Sequence, residues 1–288
     1  MEAKNVLITG ATGNVGYELL KKLKGITNVN IYAAGRDISK AKEIIDDDEI
    51  NYVKLDFKDE STYKKALQDI DTVFLMRPPA ISKVKKYIYP FLVKMKETNI
   101  KQVVLLSLQG GDKNILVPHY RIERYIEKLD LPYTFLRPSF FMQNLSTTHL
   151  KEIKEDNEIF IPAGQGKTNF IDVRDIAEVG KKVILEENHL EKGYELTGPD
   201  NLDYYQIAEI MSDILDKKIE YKNPSIFQFF KRKRSEGYSI KHIIVMIGLY
   251  SVTKFGLAAK KTDKLKQLLD REPISFEQFV EDHKEVWH

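Results

Sequence analysis

The sequence predicts an α/β fold, a doubly wound parallel sheet with a smaller, mostly helical C-terminal lobe. Three observations carry this. A short apolar run, Val6-Leu7-Ile8, stops at Thr9 and is followed by glycines at positions 10, 13 and 16. Apolar runs of strand length then alternate with stretches of helical spacing as far as Leu136. Such alternation marks a parallel sheet flanked by helices, with its ligand at the carboxyl ends of the strands. From Phe140 the alternation loosens, and after Asn223 the chain reads as helices.

Taken in order, Val6-Leu7-Ile8 is a buried strand, and Val15, Leu19, Leu20 and Leu23 form the inner face of the helix that follows. The turn between them points free backbone N–H groups and the positive end of the helix at one place. Its glycines leave no Cβ to keep a pyrophosphate away. Gly10, Thr12, Gly13, Asn14, Val15 and Gly16 are therefore the predicted dinucleotide cradle. Residues 29–34 form a second strand ending in Gly35-Arg36-Asp37, about 20 residues past the turn, where the ribose is read. An acid at the strand tip would bond the 2′-hydroxyl of NAD, whereas Arg36, backed by Lys40 and Lys42, would fork onto the 2′-phosphate of NADP. NADP(H) is favoured, with NAD(H) as the alternative because Asp37 adjoins. The non-binding reading is a solvated Arg36 and Asp37 pair capping the next helix.

Residues 52–55 are a third strand, and Asp56 and Phe57 at its end can flank an adenine. Residues 59–68 are helical, with Ala66 and Leu67 inward. Thr72–Met76 is a fourth strand that breaks at Arg77-Pro78-Pro79, and Met76 and Arg77 are counted with the cofactor residues. Residues 87–98 carry the spacing of one long helix, 102–107 a fifth strand, 119–129 a helix and 133–136 a sixth strand. The loop at 109–118 holds two glycines and reads as slack or as a movable cover. Phe140 and Phe141 leave the sixth strand directly and, with Phe170, are the predicted wall of a substrate pocket, the alternative being a core seam. A short strand near 169 and a helix capped by Asp175 return towards the sheet. The expected domains are thus 1–150 with a returning segment at about 168–187, and a lobe at 188–288. In that lobe, 193–197 is strand-like and 204–215 is an amphipathic helix. The run Phe-Gln-Phe-Phe-Lys-Arg-Lys-Arg at 227–234 would suit acidic lipid or nucleic acid, but four basic residues are more often a solvated helix end. Residues 243–252 are too short to span a bilayer and read as core.

Lys+Arg 45 against Asp+Glu 43 leaves a net charge of +2, which argues against a general polyanion-binding surface, so no nucleic-acid partner is expected. The absence of cysteine excludes disulfides, thiolate zinc sites and cysteine nucleophiles. No histidine pair has zinc spacing, so no metal is predicted. No apolar stretch approaches the ~18 residues of a membrane span, and the chain enters its first strand without a targeting segment, so a cytoplasmic location is expected.

Several motifs together resemble a known family. These are the glycine turn from Thr9 to Gly16, Arg36, Tyr-Thr-Phe-Leu-Arg-Pro at 133–138 with Phe-Met-Gln-Asn at 141–144, Phe-Ile-Asp-Val-Arg-Asp-Ile-Ala at 170–177, and Tyr-Glu-Leu-Thr-Gly-Pro at 194–199. They resemble the NmrA-like branch of the atypical short-chain dehydrogenases, from the first strand to about residue 222. The resemblance implies a Rossmann fold that binds NAD(P). The branch includes NAD(P)H-dependent quinone and azo reductases, relatives named as nucleotide-sugar epimerases, and non-catalytic proteins that sense the NADP state and bind regulatory partners. A histidine followed by an acid one helical turn on resembles His119-Tyr120-Arg121-Ile122-Glu123, and reductases of the branch place that histidine beside the nicotinamide. Ser107 takes the place of the substrate-orienting serine and is counted with the cofactor residues too, the alternative being a purely structural hydroxyl.

The sequence departs from ordinary short-chain dehydrogenases at their Tyr-x-x-x-Lys pair, in place of which stand Tyr120 and Arg124, and an arginine cannot relay a proton. Tyr17 with Lys21 and Tyr250 with Lys254 match the spacing but lie elsewhere, and read as surface pairs on helices. Alcohol oxidation and sugar epimerisation by the usual route are therefore disfavoured. The reading that results is an NADPH-dependent oxidoreductase acting on a small planar acceptor such as a quinone. His119, Glu123 and Ser107 are its catalytic candidates, and Glu123 is expected to orient the imidazole and raise its pKa. The other five histidines are expected at the surface. The alternative is a non-catalytic NADP(H) sensor that binds a protein partner.

Overall fold

The computed structural model describes residues 3–288. The chain runs β1 (Lys4–Thr9), α1 (Asn14–Leu23), β2 (Val29–Gly35), α2 (Ile38–Ile45), β3 (Asn51–Lys54), α3 (Tyr63–Ala66), β4 (Thr72–Met76), α4 (Val84–Tyr87), α5 (Tyr89–Glu97), β5 (Gln102–Leu106), α6 (Pro118–Lys128) and β6 (Tyr133–Pro138). It continues through β7 (Phe140–Phe141), α7 (Leu150–Asp156), β8 (Glu158–Ile159), β9 (Thr168–Ile171), α8 (Val173–Leu185), β10 (Lys192–Leu196), β11 (Asn201–Leu202), α9 (Tyr204–Leu215) and β12 (Glu220–Tyr221). The remaining helices are α10 (Ile226–Ser235), α11 (Ile240–Lys254), α12 (Lys264–Leu269) and α13 (Phe276–His283).

Seven strands pair in the order β10-β6-β5-β4-β1-β2-β3, every pair parallel. The order reverses between β1 and β4, which makes the carboxyl ends of those two strands the crevice where such a sheet takes its ligand. The buried runs of β1, β4 and β5 have the continuous apolar character of strands covered on both faces. Thr9, Thr72 and Gln102 are the polar residues buried within these strands, and Thr9 has a particular task. Its hydroxyl donates to the Phe74 carbonyl at 3.1 Å and accepts from the Met76 N–H at 2.7 Å, which ties the end of β1 to the end of β4.

The chain divides into two compact units, one running to Pro138 and resuming over Val173–Leu196, the other comprising Ser139–Asp172 and Thr197–His288. Four expectations change here. The strand at 192–196 does not belong to the C-terminal part but adds beside β6 as the seventh strand, with Tyr194 opposite Leu136. The strand near 169 does not return to the main sheet; β9 pairs with β7 and β11 inside the second unit. Of the expected returning segment at 168–187 only α8 joins the first unit, and Asp175 lies in its first turn rather than capping it. The return is made close by Gly180, where a Cβ would stand 3.3 Å from the Leu19 side chain of α1. The long helix expected at 87–98 is broken at Ile88, because Pro90 has no N–H to bond back and so starts α5 afresh.

The second unit has its own core. Phe170 is buried there, its ring 5.8 Å from Tyr204 and 6.0 Å from Phe276. Phe140 pairs with it across β7 and β9 and, like Phe141, is half-buried. The core-seam reading of Phe170 is therefore the one its packing supports.

Candidate functional site

The glycine turn is built as the spacing requires. Gly10 has φ +66°, a left-handed conformation that favours glycine, and its carbonyl accepts from the Gly13 N–H at 2.9 Å. A Cβ on Gly16 would lie 2.3 Å from that same carbonyl oxygen, so α1 can approach β1 only with hydrogen at this position. Gly13 stands at the N-cap of α1 and no side chain caps the helix, which leaves the first N–H groups, on Asn14, Val15 and Gly16, to a ligand. Thr12 and Asn14 are exposed, while the Val15 side chain is buried in the core, so Val15 offers its backbone alone. Met76 lies over the turn, its methyl group 3.3 Å from where a Cβ on Gly13 would stand.

Arg36, just past β2, is exposed, and no hydrogen bond or ion pair engages it among the described residues. Asp37 does cap α2, accepting from the Lys40 N–H at 3.0 Å, so the acid is occupied with the helix and the arginine is left over. Asp56 accepts from the Lys58 N–H at 2.9 Å. Phe57 corrects an expectation: it is buried, with its ring 5.2 Å from Phe91 and edge-on to it, and belongs to the core rather than to an adenine site.

Beyond β4, Arg77 folds onto its own loop, its Nη1 donating to the carbonyls of Pro78, Pro79 and Ile81 at 3.0, 3.2 and 2.7 Å. Its Nε is buried without a partner, and so is Nδ1 of His119 in the first turn of α6. Burial, reinforced by the positive charge of Arg77, pushes the His119 pKa down to about 3. The expectation that Glu123 would raise it is overturned, because Glu123 faces another group.

Glu123 is 0% exposed and makes a two-pronged ion pair with Arg137 at the end of β6, Nε to Oε1 at 3.1 Å and Nη2 to Oε2 at 2.7 Å. The Ser107 hydroxyl donates to the same Oε1 at 2.6 Å. Burial by itself would depress the Arg137 pKa, but the hydrogen bond and charge of Glu123, with Asp112 and Glu195, hold it above the usual arginine value. Neither an imidazole partner nor an exposed i, i+4 pair describes Glu123. It is the centre of a buried cluster that joins β5, β6 and α6. The loop after β5 is pinned to that cluster: Gln109 N–H donates to the Pro138 carbonyl at 2.8 Å, and a Cβ on Gly111 would lie 2.7 Å from Ser107 Oγ. Only its tip stands out, with Ile115 and Leu116 exposed just before His119. Sequence reasoning gave no role to Thr9, Gly111 or Arg137. The one available signal was Arg137 itself, a charged residue closing an apolar strand.

A family model described as the NmrA-like family matches residues 2–280. The chain belongs to that family. Among its relatives, the prestalk A differentiation protein A of Dictyostelium discoideum is 28% identical, the match covering 96% of this chain and 92% of that protein. The NAD(P)H azoreductase of Xenophilus azovorans is 25% identical, with 96% and 97% covered. In three dimensions the chain is similar to the NADPH-dependent quinone oxidoreductase QOR2 of Escherichia coli in complex with NADPH, with a TM-score of 0.85, 22% identity, and 97% and 99% covered. At that identity the likeness is one of fold.

Four further expectations about this NmrA-like chain are corrected, three of them in the second unit. His149 is not a surface residue but is 1% exposed, with Nε2 2.5 Å from the Tyr250 hydroxyl and Nδ1 2.6 Å from Glu152. Tyr250 is therefore buried too, rather than half of an exposed pair with Lys254. His189 is likewise buried, 2.8 Å from the Tyr194 hydroxyl, within the first unit. Half of the basic run is spent internally: Lys233 is buried against Glu152 at 2.6 Å and Arg232 pairs with Asp156, Glu158 and Glu236, while Lys231 and Arg234 are exposed. By contrast Tyr17 and Lys21 do form the surface contact expected of them, the ammonium 5.5 Å from the ring centre.

The low pKa of His119 has a measurable consequence. The unfolded chain takes up this proton near pH 6.5 and the folded chain only near 3, so the contribution is complete above about 6.5 and is lost as the pH falls towards 3. Between pH 7 and 4 the melting temperature of the parent protein is expected to fall more steeply than that of His119→Ala. Parallel slopes would show that the imidazole is not held neutral by burial.

Proposed function

We propose that this chain is an NADPH-dependent oxidoreductase that reduces a small planar acceptor such as a quinone. The observation that carries the reading is the neutral, unpartnered imidazole of His119 under the charge of Arg77, in the unit that also bears the uncapped glycine turn. The turn fits a dinucleotide: a Cβ at Gly13 would intrude on it, the helix end has N–H groups to give, and Arg36 is unpaired where a 2′-phosphate would need it. The NADPH in the description of the quinone oxidoreductase and the NAD(P)H in the name of the azoreductase agree with this cofactor.

When bound, the cofactor supplies the hydride. The protein then has to orient the acceptor and steady the negative charge that grows on its oxygen. A neutral imidazole can donate one N–H to that oxygen but cannot act as a strong acid near pH 7, so the proton comes from water. The guanidinium of Arg77 offers the fixed positive charge. Ser107 and Glu123 act by position, since their polar atoms are engaged with each other and with Arg137.

Loss of NADPH absorbance on addition of a quinone panel tests the activity, and His119→Ala should slow it about ten- to a hundredfold with NADPH affinity unchanged, an orienting group being worth about that much. Full activity in the variant would remove His119 from the reaction. Cofactor binding with no turnover on any quinone or azo acceptor would replace the reductase by the NADP(H)-sensing alternative. Arg36→Ala is expected to weaken NADPH binding about ten- to a hundredfold while NADH is hardly affected, the worth of one charge-assisted fork. Calorimetry with both cofactors checks it, and an equal loss for the two would refute the role of the 2′-phosphate.

A further inference from the structure

Helix α11 is apolar on two opposite sides. Ile243, Met246 and Tyr250 enter the core of the second unit, whereas Ile240, Ile244, Val245, Leu249 and Val252 are exposed. Phe255 and Leu257, immediately after the helix, are 75% and 74% exposed. The reading of this run as core thus holds for one face only. Single exposed apolar residues are ordinary; seven on one helix face and its extension form the kind of patch that marks an interaction surface.

The segment's own charge is one-sided. From Gly237 to Thr262 the sequence contains no Asp or Glu, but it carries Lys241, His242, Lys254, Lys260 and Lys261. The same segment borders a cavity of about 630 Å3, whose lining includes Gly164, Lys167, Tyr205, Asn223 and Lys254, with no acidic residue. The cavity wall is fixed: the Gly164 N–H donates to Asn223 Oδ1 at 3.0 Å, and the close approach of the loop to α11 leaves no room for a Cβ on Gly166, which would stand 2.0 Å from the Thr253 carbonyl.

We propose that the outer face of α11 with Phe255 and Leu257 docks onto an anionic membrane surface, with Lys167 and Lys254 holding a lipid phosphate in the adjoining cavity. An apolar face with Lys167 and Lys254 beside it, on a segment that itself carries no carboxylate, matches a boundary that is hydrocarbon below and negative at headgroup level. A second copy of this chain fits less well, since a two-fold contact would set the same lysines against one another. At 1.5 Å per residue the 15-residue helix is about 22 Å long, too short to cross a bilayer, and it would lie in the plane of the surface. No helix among the described residues is long and apolar enough to cross a membrane. This inference stands whether or not the chain is a reductase.

Flotation of the full-length protein with vesicles tests it. Binding to phosphatidylcholine vesicles containing about a third phosphatidylserine should exceed binding to phosphatidylcholine alone by about tenfold or more at low salt, as expected for a few lysines at an anionic surface, and should fall in high salt. Val245→Glu with Leu249→Glu should abolish the binding, and Lys167→Glu with Lys254→Glu should remove the preference for phosphatidylserine, both with unchanged melting temperature. Equal binding to the two vesicles, or binding to neither, overturns the proposal, and this comparison needs only the parent protein even where a variant fails to fold. A dimer in sedimentation that Val245→Glu with Leu249→Glu breaks, without vesicle binding, assigns the face to a second copy instead.

Discussion

Arg137→Ala is expected to destabilise the protein by about 3–5 kcal/mol, the usual cost of leaving one partner of a buried ion pair alone. Glu123 has no water to turn to, and the Ser107 hydroxyl already donates to it, so nothing replaces the two ionic bonds it loses. The damage should centre on the ends of β5 and β6 and the loop pinned beneath Gly111. Replacing both partners at once, Glu123→Leu with Arg137→Met, should recover most of the loss, because the penalty lies in the unpaired charge rather than in the absent bridge. Denaturant unfolding of the two variants measures it. A single variant within about 1 kcal/mol of the parent would mean that water reaches Glu123 and that the cluster is not the buried network described.

Gly13→Val is expected to abolish measurable NADPH binding. A Cβ at this position meets the Gly10 carbonyl and the Met76 methyl at 3.3 Å each, and the branches of valine must then project towards the helix end, where the phosphates would lie. Overpacking costs about 1–3 kcal/mol, enough to weaken a complex by up to roughly a hundredfold, and the obstruction of the phosphates adds to it. Calorimetric titration reads the affinity, and the melting temperature separates a blocked turn from a damaged fold. Unchanged affinity in a folded variant would reduce the glycine turn to a structural feature.

The same stretches show what a single sequence can and cannot tell. The ends of β4 and α9 are where the apolar patterns put them, because strand and helix periods are set by the backbone and by side chains a few residues apart. The capping of α2 by Asp37 was readable for the same reason. Phe57 was misread because an aromatic at a strand end looks alike whether it turns to a ligand or to Phe91, and that choice belongs to a helix more than thirty residues further on.

By itself the sequence determined the alternating sheet, the glycine turn with its uncapped helix, the exposed arginine after the second strand and the absence of any thiol chemistry. These depend on local sterics, on periodicity and on which residue types are present. The tertiary structure decided the partners. Glu123 lies one helical turn from His119, yet its carboxylate is claimed by Arg137 and Ser107, because a fully buried charge is stable only beside an opposite charge and hydrogen-bond donors, and these arrive on neighbouring strands. His119 is thereby left neutral under Arg77, His149 is drawn inside by Tyr250 and Glu152, and one face of α11 is left without cover. Each of these outcomes depends on distances between segments that the order of residues does not contain.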